Sequence, residues 1–599
     1  MGRGGEADSN TTAQLFSVSS VVDPARAASS PRLTRHPVEF KDVTKAAGIN
    51  WSYSNGATGK HLFIETTGGG VAFVDYDNDG YLDIFAPQGG PVPGVASDGH
   101  QFPRHNVLYH NNGDGTFTDV TEKAGLSGPT GYGQGVSVTD YNNDGFPDLF
   151  ITAYGGNHLF RNNGNGTFTD VTVKAGLQDT KSVSGVKGEM PWPLGSAWGD
   201  YDGDGRLDLF VCHYARWSPA LNKPCHSSSS QSRLSYCRPQ VYEGSPSKLY
   251  HNNGDGTFTD VSERAGISRL AGKSMTAVWI DYDGDGKLDL FVTNDTMPNY
   301  LLHNNGNGTF TETGVLAGIA MAPDSTTPSG MGVGVGDYDH DGREDLFVAN
   351  FQSQPKSVFH NLGHGLFQDV SYASGVASTN LQMLGFGLEA FDYDLDGWKD
   401  VIVGNGHVLD WTEENGNGSS YAQSQQLLHN QGNGTFRDDL HSLGDLVQPR
   451  VTRGLAIGDF DNDGDIDVAM VAHDKPLQLF RNDGGNANHW ITLRLEGTGR
   501  SPRLPVGALV TMRTAQGLQV ASVRGGSSYC SSSDSRLTFG LGDQTMVQSL
   551  EVRWPDNSTQ KLGALSSNAF YLIRQGQSPL ADPRVKQPPS RLIARDGHN

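Results

Sequence analysis

D-Y-D-N-D-G-Y-L-D, from Asp75 to Asp83, packs four carboxylates and a glycine into nine residues, and the chain repeats the pattern seven times. Four carboxylates this close repel one another unless a cation sits among them. An all-oxygen donor set asks for a hard ion, and calcium accepts about six to eight oxygens at flexible angles. The expected ligands are the side chains at positions 1, 3, 5 and 9, helped by the carbonyl at position 7. They are Asp75, Asp77, Asp79 and Asp83; Asp140, Asn142, Asp144 and Asp148; Asp200, Asp202, Asp204 and Asp208; Asp281, Asp283, Asp285 and Asp289. The last three copies supply Asp337, Asp339, Asp341 and Asp345; Asp392, Asp394, Asp396 and Asp400; Asp459, Asp461, Asp463 and Asp467. Up to seven structural Ca²⁺ ions are expected, with the second loop weakened by Asn142. Glycine at position 6 permits the sharp turn. Magnesium wants a stricter octahedron, and a zinc site would bring Cys or His. An EF-hand needs glutamate at position 12, where this chain has Ala86, Ile151, Val211, Val292, Val348, Val403 and Met470. These are strand residues, so each loop leads into a sheet. Plain Asp-Gly hairpin turns are the bland alternative, and repetition of the whole nonapeptide weighs against it.

The loops explain the charge. Their ligand positions hold 27 of the 66 acidic residues in a 599-residue chain of formal charge -22. Seven calcium ions would bring the net to about -8, an ordinary surface charge. No basic stripe offers itself to phosphates, which argues against nucleic acid. No apolar stretch approaches membrane-spanning length. Leu15 to Val22 is too short and serine-broken for a secretory core, in tension with loops that usually suit extracellular calcium. Cys225 and Cys237 share one Ser-rich insertion, where either a disulfide or two thiols fits. Cys212 and Cys530 read as filler.

The loops begin 65, 60, 81, 56, 55 and 67 residues apart, which is blade spacing. Each unit runs through a Gly-rich alternating segment, the acidic loop, a short apolar run, an L-Y/F-H/R-N strand, a turn and T-F-T-D-V: four strands. The pattern starts with a lone fourth strand, Phe40 to Val43, and ends with three strands at Gly454 to Asn482. The fold expected is an all-β, seven-bladed propeller closed by its N-terminal strand, followed by a small β domain. The boundaries are a disordered segment 1–35, the propeller 36–485, the second domain 486–575 and a disordered tail 576–599. Calcium loops and strand 3–4 turns should share one face. The other face should carry the insertions Gln88 to His105, Leu177 to Leu194, His213 to Ser247 and Asn405 to Gln425. Long loops on one rim often carry function, which singles out Trp192, His213, Arg216, Trp217, Tyr242, His407, Asp410 and Trp411 as ligand-binding candidates. Packing of these aromatics within their own insertions is the alternative. His110, His251, His303, His360 and His429 occupy one repeat position, with Arg161 and Arg481 in the other two. A catalytic histidine would be singular, so these read as packing or hydrogen-bonding residues.

After Asn482, strands are expected at Trp490 to Leu495, Leu509 to Arg513, Leu518 to Val523, Arg536 to Phe539 and Ser549 to Trp554. R-G-G-S-S-Y, Arg524 to Tyr529, lacks the nucleophile-elbow pattern and reads as a tight turn. The D-x-D-x-D-G-x-x-D-L-F-V units resemble FG-GAP/VCBS repeats. The tail motifs N-H-W-I-T-L-R-L-E-G, V-G-A-L-V-T, R-G-G-S-S-Y, R-L-T-F-G-L-G and V-R-W-P resemble the ASPIC/UnbV domain. Together, over Val38 to Ile573, they resemble the cartilage acidic protein family. That resemblance implies a secreted calcium-binding propeller with an adhesion or recognition role, and the leading expectation is a non-enzymatic propeller binding a glycan or protein through the insertion face. The chain departs from it in lacking a secretory core, in Asn142, and in having no Cys-rich EGF-like module after the tail, which points to a microbial-type member. The alternative is an intracellular natural-product tailoring enzyme of UnbV type, for which the sequence offers no unique Ser/His/Asp set and no phosphate-cradling loop.

Overall fold

The computed structural model describes residues 37–585 except 129, 181–188, 228–231, 380, 416–417 and 474. The segment 1–35 and the end 586–599 therefore lie outside the described residues.

Seven four-stranded antiparallel sheets follow one another along the chain. Their first strands are Ala72–Val74, Tyr132–Thr139, Pro193–Gly199, Ser274–Ile280, Gly330–Gly336, Gly385–Phe391 and Thr452–Gly458. Each touches the next, and the last touches the first, so the sheets close a propeller-like ring. The seventh sheet takes its fourth strand from the N-terminal side. Glu39–Asp42 pairs with Gln478–Asp483, Phe40 opposite Asn482, as the orphan strand in the sequence foretold. No edge is left between first and last sheets.

The second strand of each sheet is apolar on both faces because sheets flank it on both sides. In Asp289–Asn294, Leu290 and Val292 pack with residues of the third sheet, while Phe291 faces Val333 and Leu346 of the fifth.

A repeated asparagine binds the sheets to one another. Asn304, at the end of the third strand, donates its amide to the carbonyl of Leu288 in its own loop (3.0 Å) and of Tyr201 in the preceding loop (2.7 Å). Asn162, Asn252, Asn361, Asn430 and Asn482 each make the same two bonds. Asn111 completes the circle by reaching Leu82 and, across the closure, Phe460.

The C-terminal β region holds two further four-stranded sheets. One contains His489–Glu496, Leu537–Gly542, Ala569–Arg574 and Leu580–Ala581; the other contains Leu509–Arg513, Leu518–Ser522, Ser549–Arg553 and Thr559–Leu562. The expected disordered tail from 576 is corrected here. Ala581 pairs with Tyr571, and Asp582 binds Arg494 at 2.6 Å, so the chain stays in the region to its last described residues. Arg524 to Tyr529 is not a local turn either. Residues 524–534 leave the region and run among the innermost strands of the ring, where Val136 donates to the Cys530 carbonyl (3.0 Å) and Ser532 to that of Val71 (2.9 Å).

Asn304→Ala should remove two buried hydrogen bonds, strand two carbonyls and destabilise the chain by about 2–5 kcal/mol. Asn305→Ala is the control, since that side chain bonds Thr309 within its own exposed turn. Thermal unfolding of the two variants should differ clearly; equal melting temperatures would remove the inter-sheet role from Asn304.

Candidate metal centres

The fourth acidic loop illustrates the local construction. Asp289 opens the second strand and is fully buried; its Oδ1 accepts the Asn304 N–H at 2.7 Å, while its Oδ2 is buried without a hydrogen-bond partner. Asp281 accepts the Gly286 N–H on Oδ2 (3.2 Å), and its Oδ1 is likewise buried and unpartnered. Asp283 Oδ2 and Asp289 Oδ1 each lie 3.3 Å from His303 Nδ1. Burial pushes the Asp289 carboxyl up to about 8, with the neighbouring aspartates adding to the shift. Buried carboxylate oxygens turned toward one another without donors need a proton or a cation. All are oxygens of hard character, so they fit calcium.

The geometry recurs. Groups of two aspartates and a histidine, with donor atoms within 4.8 Å of one another, form at Asp77, Asp79 and His110; at Asp202, Asp204 and His251; and at Asp339, Asp341 and His360. Asp283, Asp289, His303 and Asp394, Asp400, His429 give two more. The position-9 aspartate is fully buried in all seven loops. Burial raises Asp83 and Asp208 to about 7 and Asp337 to about 8. The carboxylates of Asp83, Asp208 and Asp345, 3.3, 3.2 and 3.1 Å from the histidine Nδ1 atoms, in turn raise His110, His251 and His360. The repeat histidine is thus more than strand packing: it reaches the acidic loop of its own sheet. Its sequence signal was a basic residue at one register position in every repeat, since Arg161 and Arg481 replace it. In the second loop, Asn142 donates its amide to Asp144 Oδ2 at 2.8 Å, the position-5 oxygen that Arg206, Lys287 and Arg343 meet in the next three loops.

Each position-6 glycine has a left-handed φ or lies in the tight turn, and each also touches the C-terminal region. A Cβ at Gly80, Gly145, Gly205, Gly286, Gly342, Gly397 or Gly464 would come within 3.0 Å of Arg584, Arg503, Arg500, Asn557, Leu518, Gln516 or Trp490, respectively. The acidic loops therefore share one face, and the C-terminal region covers it.

The insertions converge elsewhere, and they pack on one another. Trp192, Trp217, Tyr242 and Trp411 are buried. Phe63 stacks on Tyr242 with ring centres 4.8 Å apart and meets Trp192 edge-on. Trp217 Nε1 donates to Asn222 (3.1 Å) and Trp411 Nε1 to Ser235 (2.7 Å). His213 is fully buried against Asp179 at 2.6 Å. His407 bonds Gln352 at 2.9 Å, and burial followed by the Arg453 charge lowers it to about 4. These six candidates hold the insertions together. Arg216, paired with Glu189 and Glu243, and Asp410, 3.8 Å from His61, remain partly exposed. Cys225 and Cys237 form a disulfide within the third insertion, while Cys212 and Cys530 are buried thiols.

Comparison with known proteins matches the FG-GAP-like repeat model to residues 95–151, 140–211, 241–292, 281–348, 337–403 and 392–470. The ASPIC and UnbV model matches 497–580. Cartilage acidic protein 1 of Mus musculus is 26% identical over 508 residues, covering 81% of this chain and 70% of that protein. The Homo sapiens protein is 25% identical over 535 residues, covering 86% and 73%. Among solved structures, an Agrocybe aegerita lectin that recognises non-reducing terminal N-acetylglucosamine aligns with a TM-score of 0.38 and 18% identity, over 68% of this chain and 87% of the lectin.

Without metal, the raised carboxyls hold protons that an unfolded chain loses near pH 4. Stability then falls as pH rises from about 4 toward 8, and histidines raised by their aspartate partners push the same way. The metal-free chain should melt higher at pH 5 than at pH 8, and saturating calcium should abolish the difference by displacing those protons. Scanning calorimetry in chelator and in calcium reads this directly; a metal-free chain more stable at pH 8 would contradict the burial of these groups.

Proposed function

Because the chain belongs to the FG-GAP-like repeat family and carries a C-terminal ASPIC and UnbV domain, we propose that it is a calcium-loaded, seven-bladed propeller that recognises a macromolecule, a glycan or a protein, outside the cell. Calcium is structural. It fastens each loop between first and second strands so that the blades present a fixed surface. The observation that carries this reading is the recurrent set of buried, mutually facing carboxylates, unpartnered at Asp75 Oδ1, Asp281 Oδ1 and Asp289 Oδ2. Six loops keep all four aspartates, and the second, with Asn142, is the weakest site.

Recognition rather than catalysis is supported by what fills the axis. Three recesses at the junction of ring and C-terminal region measure about 120, 140 and 160 Å³, below the ~300 Å³ of ordinary small-molecule sites, and a more open one of about 390 Å³ lies between Asn143, Glu496, Arg503 and Arg574. On the insertion side an open recess of about 670 Å³ is bounded by Arg216, Gln240, Glu243, Pro246, Lys273 and Met297. An open recess of this kind, charged at Arg216, Glu243 and Lys273 with apolar surface between them, suits an extended amphipathic segment of a macromolecule. The Cys225–Cys237 disulfide favours an oxidising compartment. No described helix is long and apolar enough to cross a membrane.

Melting temperature against free calcium, from nanomolar to millimolar, tests the first half. Stabilisation is expected, with saturation toward millimolar if the protein works outside the cell. Asp283→Ala should bind one ion fewer and melt lower; full occupancy and unchanged melting would remove that loop from the metal sites. The second half is tested by binding of the full chain to panels of glycans and matrix proteins, with Arg216→Ala as the variant. Calcium-dependent binding weakened by that substitution is expected, and a chain that holds calcium but binds nothing on either panel is not a recognition module.

A further inference from the structure

We propose that the C-terminal region is a calcium-dependent stopper of the ring: the loaded acidic loops hold it in place, and residues 524–534 occupy the central channel as an internal ligand. The inference rests on the calcium reading above.

Residues 524–534 bond to the innermost strands of six of the seven sheets. The Trp198 N–H donates to the Gly525 carbonyl (2.9 Å), Val136 to Cys530 (3.0 Å), and Ser528 and Ser532 donate to Val333 and Val71 (2.9 Å each). Leu388 donates to Ser528 Oγ at 3.2 Å and Asp534 donates to the Ile457 carbonyl at 2.9 Å. Tyr529 is fully buried, 5.0 Å from the ring of Phe386. The fit excludes even a methyl group: a Cβ at Gly70 would stand 1.9 Å from the Cys530 carbonyl oxygen. A set of bonds pointing outward to six sheets forms only when the ring is closed to one diameter.

The anchors of this segment lie on the metal loops. Asp281 divides its carboxylate, giving Oδ2 to Arg553 at 2.7 Å and keeping Oδ1 buried without a hydrogen-bond partner. Asp75 repeats the division, with Oδ2 3.9 Å from Arg584 and Oδ1 buried. Arg536 donates to the Asp459 carbonyl and to Asn462, both at 2.9 Å. Arg500 donates to the Gly203 carbonyl at 2.7 Å. Ions and arginines are not rivals here, because seven divalent ions would neutralise 14 of the 27 loop carboxylates. Withdrawing the ions leaves the inward oxygens facing one another, the loops rearrange to separate them, and the arginines lose their fixed acceptors. Binding is reciprocal, so a docked region must raise ion affinity by the factor by which ions favour docking.

The test is hydrogen–deuterium exchange of the full chain in saturating calcium and after chelation, with bound calcium measured on the same samples. In calcium, residues 524–534 should exchange as slowly as Gly330–Gly336. After chelation their exchange should rise at least tenfold, while Leu509–Arg513, inside the C-terminal region, stays protected. Arg553→Ala with Arg584→Ala should weaken calcium binding at two sites by about fivefold and speed exchange of 524–534 at subsaturating calcium. Stoichiometric calcium with exchange of 524–534 unchanged by chelation overturns the stopper and leaves the calcium reading standing. A chain that binds no calcium takes both down.

Discussion

Crowding of carboxylates on one face of a closed ring is the constraint to which the rest of this molecule answers. Each acidic loop is locally unfavourable: its aspartates are drawn out of water, and burial raises several of their carboxyls toward neutrality. The chain answers with countercharge at three levels. A histidine reaches five of the loops from its own third strand, an ion would fit among the buried oxygens, and arginines arrive from the C-terminal region. Such an arrangement stores repulsion that is released when any level is removed.

The asparagine circle makes this a collective property. Because Asn304 bonds both its own loop and the preceding one, the position of one metal loop is transmitted to its neighbour. Seven such links close on themselves through Asn111 and Phe460. A loop that relaxes would therefore pull on two sheets, and an ion bound in one loop would stiffen the next. Local ligand sites joined by rigid, fully satisfied hydrogen bonds are expected to unfold together rather than one by one.

The legible part of the sequence was the part written in short range. Nine-residue spacing defined the loops, period-two runs gave the strands, and a lone fourth strand at Phe40 disclosed how the ring closes. What escaped reading depends on partners far along the chain. The repeated Asn was visible as a letter, but its second acceptor lies in the preceding sheet. The insertion aromatics left binding and packing both open because exposure cannot be read from residue type; Trp192 and Trp217 fill the space between loops that the sequence separates widely. Arg453, fully buried, donates to the carbonyls of Thr66, Gly406 and His407 across two sheets, a role that no local pattern marks. Arg524 to Tyr529 read as a turn because its partners are strands from across the ring. Leu580 to Arg584 read as tail because polar, proline-flanked composition says nothing about an arginine that meets Asp75.

An occupied axis changes where recognition can occur. Ring proteins with open channels can bind ligands where all sheets contribute equally, and sequence repeats then predict the site. Here that position is taken by the chain itself, and the face with sevenfold character is taken by the C-terminal region. What remains to solvent is the side on which the repeats differ: insertions of unequal length, one pinned by a disulfide, with Arg216 and Glu243 of that one at a recess it forms with Ala271, Lys273 and Met297. Under the proposed function, specificity on this scaffold would reside in the residues that break the repeat, while the repeated residues, the proposed calcium ligands included, would determine how firmly those exceptions are held.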